Sequence, residues 1–373
     1  MTFSSSSPAG IGIVGCGNIA ERYVKGISRF PLLKTLGCAD IYQEAADRLS
    51  ASAGISAYPS VEALLDDPGV DVVVNITSPV AHAEVSFAAL KAGKHVYVEK
   101  PMGATVAEGR RMIEAAVAAG RVLGSAPDTF LGSSAQTARA AVDNGVIGEP
   151  IGAVGFVTHS KAETWHPDPT FLFKPGGGPV LDLGPYYITA LVNLLGPVAS
   201  VAGFSRVGAP VRTVTAPGRR VDKITVEVPT HAVASLEFAS GALATMMFSF
   251  DVWDHHLPYL EIYGQEGALG LFDPNKYDGP VVTRGHHDSE WATLPPVFPP
   301  SAEPGAPEQF MRGPGVVDLV LALDGAPHRA NAALALHVLE VLQAVETASR
   351  TRQSVSIETR VERPATVPAD PKW

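Results

Sequence analysis

Residues 11–20 read Ile-Gly-Ile-Val-Gly-Cys-Gly-Asn-Ile-Ala. Ile11, Ile13 and Val14 are β-branched and predict a short strand. The chain then enters a glycine turn, and Glu21 to Arg29 has the pattern of a helix. In a strand, turn and helix of this form, Gly15 permits the tight turn and Gly17 lets backbone approach a pyrophosphate. Ala20 allows close helix packing, and the helix N-terminus faces the phosphates. Such a fingerprint is weak alone, but here Leu33 to Ala39 reads as a second strand. Asp40 stands at its end, about 20 residues beyond the turn, where an acidic side chain receives the hydroxyls of an adenine ribose. Its charge repels a 2′-phosphate, so the pattern points to NAD, with NADP less favoured. Asp40 could also cap the helix Glu44 to Ala53, a role compatible with the ribose contact.

The alternation of strand and helix continues. Val61 to Leu65 reads as a short helix, Val70 to Asn75 as a buried parallel strand, and Val80 to Ala92 as a helix ending at Gly93. A strand His95 to Val98, a helix Ala104 to Ala119 and a strand Arg121 to Gly124 follow. Ligands of open α/β sheets bind beyond the carboxyl ends of the strands. Three stretches fall there: the glycine turn with Asn18 and Ile19, the loop carrying Thr77, Ser78 and His82, and Glu99-Lys100-Pro101. Pro101 cannot extend a ladder and holds Lys100 out of helical geometry. Lys100 is therefore placed to meet a substrate. The plainer readings are a solvated Glu99–Lys100 surface pair and His82 as a capping residue.

The chain has 373 residues, 46% of them hydrophobic, 18% charged, with a formal net charge of −10. That length implies two domains, and the acidic balance argues against a duplex nucleic acid or an anionic membrane as partner. Cys16 and Cys38 are too few for a disulfide framework and lack metal-ligand spacing, which fits a reducing, cytoplasmic setting. Thr2 to Ala9 reads as a flexible Ser-rich leader. The apolar runs are broken by Gly, Asn or charges, so no membrane span is expected.

From Asp128 the pattern changes. Ser134 to Asn144 reads as a helix stopped by Gly145, and Gly152 to Ser160 begins a series of longer alternating strands: Val198 to Phe204, Thr225 to Val228, Ala232 to Phe238, Ala242 to Phe250 and Tyr259 to Gly264. They predict a large, mostly antiparallel sheet. Thr164 to Pro169 is a proline-stiffened loop in which Trp165 and His166 offer the stacking face and hydrogen bonds that sugars need; Trp165 as a buried plug is the alternative. Lys174 to Pro179 is irregular, and an apolar helix runs to Leu195. If that segment is helical from Leu181, Asp182 and Tyr186 share a face; alone they could be a cap beside a core tyrosine. His255 and His256 lack metal-ligand spacing and suit a pocket wall or a surface turn, so no metal is expected. Pro295 to Gly315 reads as irregular, Ala330 to Arg350 as a long helix, and Ser354 to Glu358 as a strand before a polar tail.

These motifs resemble those of the glucose-fructose oxidoreductase and inositol dehydrogenase family, often called Gfo/Idh/MocA. The resemblance rests on Gly15 to Ala20, Thr77 to His82, Glu99-Lys100-Pro101, and Gly176-Gly177-Gly178 leading to Asp182-Leu183-Gly184, and it covers nearly the whole chain. It implies an α/β protein with an N-terminal doubly wound Rossmann domain (1–127) that binds the dinucleotide. A C-terminal α+β domain with a large, mostly antiparallel open sheet (128–373) would bind substrate and form a homodimer or homotetramer. The family element usually reads Asp-x-Gly-x-His; this chain has Tyr186 in place of the His, as glucose-fructose oxidoreductase and related sugar dehydrogenases do, and Thr189 where a further Asp often follows.

The expected activity is hydride transfer between NAD and a secondary hydroxyl of a sugar, glycoside or cyclitol. Lys100, Asp182 and Tyr186 are the catalytic candidates. Gly15, Gly17, Asn18, Ile19, Asp40, Thr77, Ser78, His82, Glu99 and Lys100 are the cofactor contacts. Lys100, Asp128, Trp165, His166, Asp182 and Tyr186 are the substrate contacts. The alternatives are glycoside cleavage by transient ring oxidation and elimination, and a non-catalytic dinucleotide-binding regulator.

Overall fold

The computed structural model describes residues 3–160, 162–301 and 312–370. The chain divides into two compact units, one comprising Met1–Leu131, Ser301–Leu336 and Pro364–Trp373, the other Gly132–Pro300 and His337–Arg363.

The first unit is built on a six-stranded parallel sheet. Its strands are β1 (Ala9–Val14), β2 (Leu33–Ala39), β3 (Ser56–Ala57), β4 (Val72–Asn75), β5 (His95–Val98) and β6 (Leu123–Ser125), in the order β3-β2-β1-β4-β5-β6. Between them run α1 (Ala20–Ile27), α2 (Gln43–Ala53), α3 (Val61–Asp66), α4 (His82–Lys91) and α5 (Val106–Ala119). Every residue of β1 and β4 is buried, the pattern of a strand covered on both faces and the reason these segments read as unbroken apolar runs. The start of α5 is fixed locally. Thr105 Oγ1 accepts from the Glu108 amide at 3.1 Å while Glu108 Oε2 accepts from the Ala104 amide at 2.9 Å, close to a capping box. The short Ser56–Ala57 strand was not expected. Nor was a flexible leader borne out throughout: Ser4 and Ser7 exchange backbone hydrogen bonds in a tight turn, and Ala9 already belongs to β1.

The second unit carries a nine-stranded mixed sheet. Its members are β7 (Pro150–Thr158), β8 (Val198–Arg206), β11 (His231–Phe238), β12 (Leu243–Ser249), β13 (Leu260–Gly264), β14 (Gly267–Leu271), β15 (Val281–Gly285), β16 (Ala292–Thr293) and β17 (Val355–Ser356), ordered β16-β15-β14-β13-β7-β12-β11-β8-β17. All its pairs are antiparallel except β7 with β12. Buried and exposed residues alternate along β11, as expected of a sheet with one covered face. The strand expected at Thr225 to Val228 lies elsewhere: β9 (Val211–Thr213) and β10 (Lys223–Thr225) make a separate two-stranded sheet. Its apolar side packs Val214, Ile224 and Val226 against Phe173 and Phe250.

Helices α6 (Ser133–Asp143), α7 (Ala162–Trp165), α8 (Gly178–Asp182) and α9 (Gly184–Leu195) precede and intersperse these strands; α10 (Pro314–Leu323) and α11 (Ala332–Thr351) follow them in sequence. The expected irregular stretch Pro295 to Gly315 lies partly outside the described residues, and its last two residues already belong to α10. In the first unit α10 buries Val316, Val317, Leu319 and Val320, and buried Asp318 accepts from Arg329 Nη1 at 2.8 Å. The absence of any membrane-length apolar run needs correction. α11 is long and apolar enough by length and composition to cross a bilayer, but 67% of that window is buried inside the protein, as in a core helix.

Candidate active site

The glycine turn is wedged between strand ends. Gly15 has φ +101°, and a Cβ there would stand 2.7 Å from the Ile76 carbonyl oxygen, so only glycine fits. Its amide donates to the Ala39 carbonyl at 2.9 Å. A Cβ at Gly17 would meet no atom within 4 Å, leaving an open side where a pyrophosphate can approach backbone. Asn18 follows in the turn, and Ile19 occupies the N-cap position of α1, whose start carries no side-chain cap.

Asp40 does not cap α2. That helix begins after Tyr42 with no side-chain cap; the Asp40 carboxylate instead accepts from the Cys16 amide at 2.7 Å and from the Tyr42 amide at 2.9 Å. The acid at the end of β2 is thus tied to the turn after β1.

A second network joins the next two loops. Asn75, at the end of β4 and fully buried, donates through Nδ2 to the His82 carbonyl (2.9 Å) and Ser86 Oγ (3.1 Å), while its Oδ1 accepts from Thr77 Oγ1 at 2.7 Å. Ser78 precedes the 3-10 turn Pro79–Ala81. His82 is no surface cap. It is buried, its Nδ1 2.7 Å from the Pro101 carbonyl oxygen and its Nε2 3.2 Å from that of Thr77, and burial pushes its pKa down. It therefore links the Thr77 loop to the residue after Lys100.

The surface-pair reading of Glu99 and Lys100 also fails. Glu99 is only 6% exposed; Oε1 accepts from the Tyr23 hydroxyl at 2.8 Å and Oε2 from the Lys100 amide at 2.9 Å. Lys100 is half-buried at the carboxyl end of β5. Asn75 and Tyr23 escaped the sequence reading. A lone Asn closing the Val72-Val73-Val74 strand was the available signal, since a buried amide must find partners. Nothing in the helix pattern marked Tyr23.

Asp128, in the first unit, is buried, and its Oδ2 accepts from the Gly315 amide at 2.7 Å, a contact that anchors the start of α10. The remaining candidates lie in the second unit. Trp165 ends α7 and is 56% exposed, so it is not a buried plug. Its ring meets His159 and His166 edge-on at 6.4 and 5.4 Å, and His166 meets Phe171 at 5.5 Å. His166 is buried with a pKa lowered by burial, and its Nδ1 accepts from the Asp168 amide at 3.1 Å. Asp182 and Tyr186 do not share one continuous helix: the first ends α8, the second lies in the first turn of α9, and Leu183 joins them. Pro185 explains the break, because it has no N–H for the Leu181 carbonyl and its ring crowds that group. Gly178 and Pro179, expected in an irregular run, already form the start of α8. Asp182 is half-buried and Tyr186 buried. His255 and His256 sit in the loop between β12 and β13, His256 exposed. Among the described residues no cluster of three or more His, Cys, Asp or Glu could hold a metal ion.

A parallel sheet in this order, with a glycine turn between β1 and α1 and an acid closing β2, defines a dinucleotide-binding protein of the Rossmann class. Residues 9–126 match the family model for the NAD-binding Rossmann fold of the Gfo/Idh/MocA oxidoreductases, and residues 135–270 match a C-terminal domain of the same family. Together these cover more than half of the chain, which belongs to the Gfo/Idh/MocA family.

The chain is 34% identical over 175 residues to 1,5-anhydro-D-fructose reductase of Ensifer adhaerens, covering 46% of this chain and 52% of that protein. It is 28% identical over 174 residues to myo-inositol 2-dehydrogenase of Thermotoga maritima, covering 46% and 51%. The match thus spans about half the length of these curated relatives. The crystal structure of an NAD-binding oxidoreductase from Klebsiella pneumoniae superposes with a TM-score of 0.80 at 23% identity, covering 94% of this chain and 99% of that one, and shares the fold.

Proposed function

We propose that the protein is an NAD-dependent oxidoreductase that moves a hydride between nicotinamide and a secondary hydroxyl of a sugar, glycoside or cyclitol. The expected division at 127/128 gives way to the two units, of which the first, with residues 301–336 and 364–373 added to it, holds the dinucleotide and the second supplies most of the substrate contacts. NAD provides the hydride acceptor; the chain's own residues bind, orient and move the proton. Gly15, Gly17, Asn18 and Ile19 take the pyrophosphate, Asp40 the adenine ribose, and Thr77, Ser78, His82 and Glu99 shape the edge on which the nicotinamide half lies. Lys100 and Tyr186 share the hydroxyl proton, with Asp182 orienting them or binding a neighbouring hydroxyl; Trp165 and His166 face the sugar.

The observation that carries this reading is the position of Lys100. It follows β5 by two residues, beyond the same sheet edge as the glycine turn, between the buried Glu99 and the Pro101 carbonyl that His82 meets. Both named relatives act on polyols or sugar-like rings by their names, which supports the substrate class.

We further propose a cytoplasmic enzyme that self-associates as a dimer or tetramer through the open face of its large sheet. There Phe204 pairs with Val233 across β8 and β11, and both side chains are exposed, 58% and 39%.

A panel of sugars and cyclitols offered with NAD, followed at the nicotinamide absorbance, tests the function. Substrate-dependent NADH formation supports it. Product formation without NADH would instead select the oxidation-elimination route, and no reaction with any ring alcohol would refute both.

A further inference from the structure

The buried face of α1 carries Ala20, Tyr23, Val24 and Ile27, the stripe by which a helix packs on its sheet. Tyr23 is fully buried, yet its hydroxyl donates to Glu99 Oε1 at 2.8 Å. The bond runs from the helix after β1 to the residue after β5, strands that β4 separates in the sheet. The other carboxylate oxygen, Oε2, accepts from the Lys100 amide at 2.9 Å, and the Glu99 amide donates to the Asn75 carbonyl at 2.9 Å at the end of β4. A carboxylate this far from water depends on its protein donors. On the other side of Lys100, the Pro101 carbonyl oxygen stands 2.7 Å from His82 Nδ1. The backbone of Lys100 is thus bracketed, by Glu99 and through it α1 on the amino side, and by His82 of α4 on the carboxyl side.

We propose that Tyr23 is a positioning residue: by holding the Glu99 carboxylate it fixes the backbone of Lys100, and so couples the helix behind the glycine turn to the lysine that handles the proton. Being fully buried, Tyr23 can touch neither nucleotide nor substrate, so its effect passes through Glu99. A phenol suits the task, because a hydrogen bond to an ionised acceptor is short and strong and the ring that carries it is packed in the core. Without that donor the buried carboxylate loses a partner, and it turns toward another donor or toward solvent; either movement takes Oε2 off the Lys100 amide. The Lys100 ammonium sits on a flexible stem, so its aim at a substrate depends on a fixed backbone. A misplacement of about 1 Å at a reacting group costs up to ~10²-fold in rate.

The effect on turnover rests on the role proposed above for Lys100; the tether itself does not. In the full-length protein, Tyr23→Phe removes the hydroxyl and keeps the ring. Hydrogen exchange read by mass spectrometry should then be faster over residues 96–104, which include the Lys100 amide, and unchanged over residues 9–15. With NAD and the ring alcohol that the panel identifies, kcat should fall roughly 10- to 100-fold while the KM for each stays within about twofold. In a Lys100→Ala background the same substitution should cost nothing further. Glu99→Ala removes the other end of the tether; it should speed exchange over the same segment, and adding Tyr23→Phe to it should speed it no more. Unchanged exchange over 96–104 in Tyr23→Phe would overturn the tether. Faster exchange over 9–15 as well, or an equal loss of turnover with and without Lys100, would make Tyr23 a core residue and overturn its positioning role. A wild type that turns over no ring alcohol would count against the function, while the exchange readout still decides the tether.

Discussion

The Asp40 carboxylate accepts the backbone amide of Cys16 at 2.7 Å, so the acid that closes β2 also fixes the glycine turn. Replacing Asp40 with Ser should therefore act twice. It removes the charge that repels a 2′-phosphate and loosens the turn, where a hydrogen bond to a charged group contributes about 1.5–3 kcal/mol. NAD affinity is expected to fall by about 10- to 100-fold, and NADP affinity by clearly less, narrowing the preference. Calorimetric titration of both nucleotides decides it; equal losses would mean that Asp40 supports the turn without reading the ribose.

His337 makes stability pH-dependent. Buried in α11, it accepts the Val198 amide on Nε2 at 3.0 Å and meets Thr359 Oγ1 through Nδ1 at 2.8 Å, so the neutral ring is the one that fits. Burial lowers its pKa to about 4. The unfolded chain takes up that proton near pH 6.5, so the contribution is complete above 6.5 and is lost as pH falls toward 4, on the order of 3 kcal/mol by pH 4. His95, lowered to about 4 by burial and then by Arg121, adds to the same window. Urea unfolding at pH 7.5 and 4.5 should show a smaller acid loss for His337→Gln than for the wild type. The same loss in both would remove His337 as a cause.

Tyr186→Phe should lower the catalytic rate with little effect on folding or NAD affinity, because the ring keeps its packing in α9 and only the hydroxyl goes. Positioned proton transfer contributes ~10² to 10⁴-fold, and the expected loss lies toward the lower end of that range. Full activity combined with lower stability would make Tyr186 a core residue.

The first unit was largely legible because its central strands β1 and β4 are buried on both faces. Runs such as Val72-Val73-Val74 allow few other readings, and Gly15, Gly17 and Asp40 carry spacing that only a strand, turn and helix satisfies. What sequence could not show was which loops hold one another. The Asn75–Thr77 and His82–Pro101 contacts join residues by tertiary packing, and no periodicity encodes them. α10 was missed because it starts at Pro314 after a proline-rich run, with Gly313 at its cap position and no side-chain cap to announce it. The kink between α8 and α9 was readable in Pro185 and was overlooked. β14 to β16 are short strands toward one end of the sheet, β14 and β15 punctuated by glycine, and their weak alternation resembles loop.

The central claim is that Lys100 is the proton-handling residue at an NAD site. Lys100→Ala, compared with wild type for NAD affinity by calorimetry and for turnover on whichever ring alcohol the panel identifies, tests it most directly. The account predicts NAD binding within a modest factor, because it assigns most of the cofactor contacts to the glycine turn and Asp40, and turnover reduced by ~10² to 10⁴-fold or more. Near-normal turnover in the variant would contradict it.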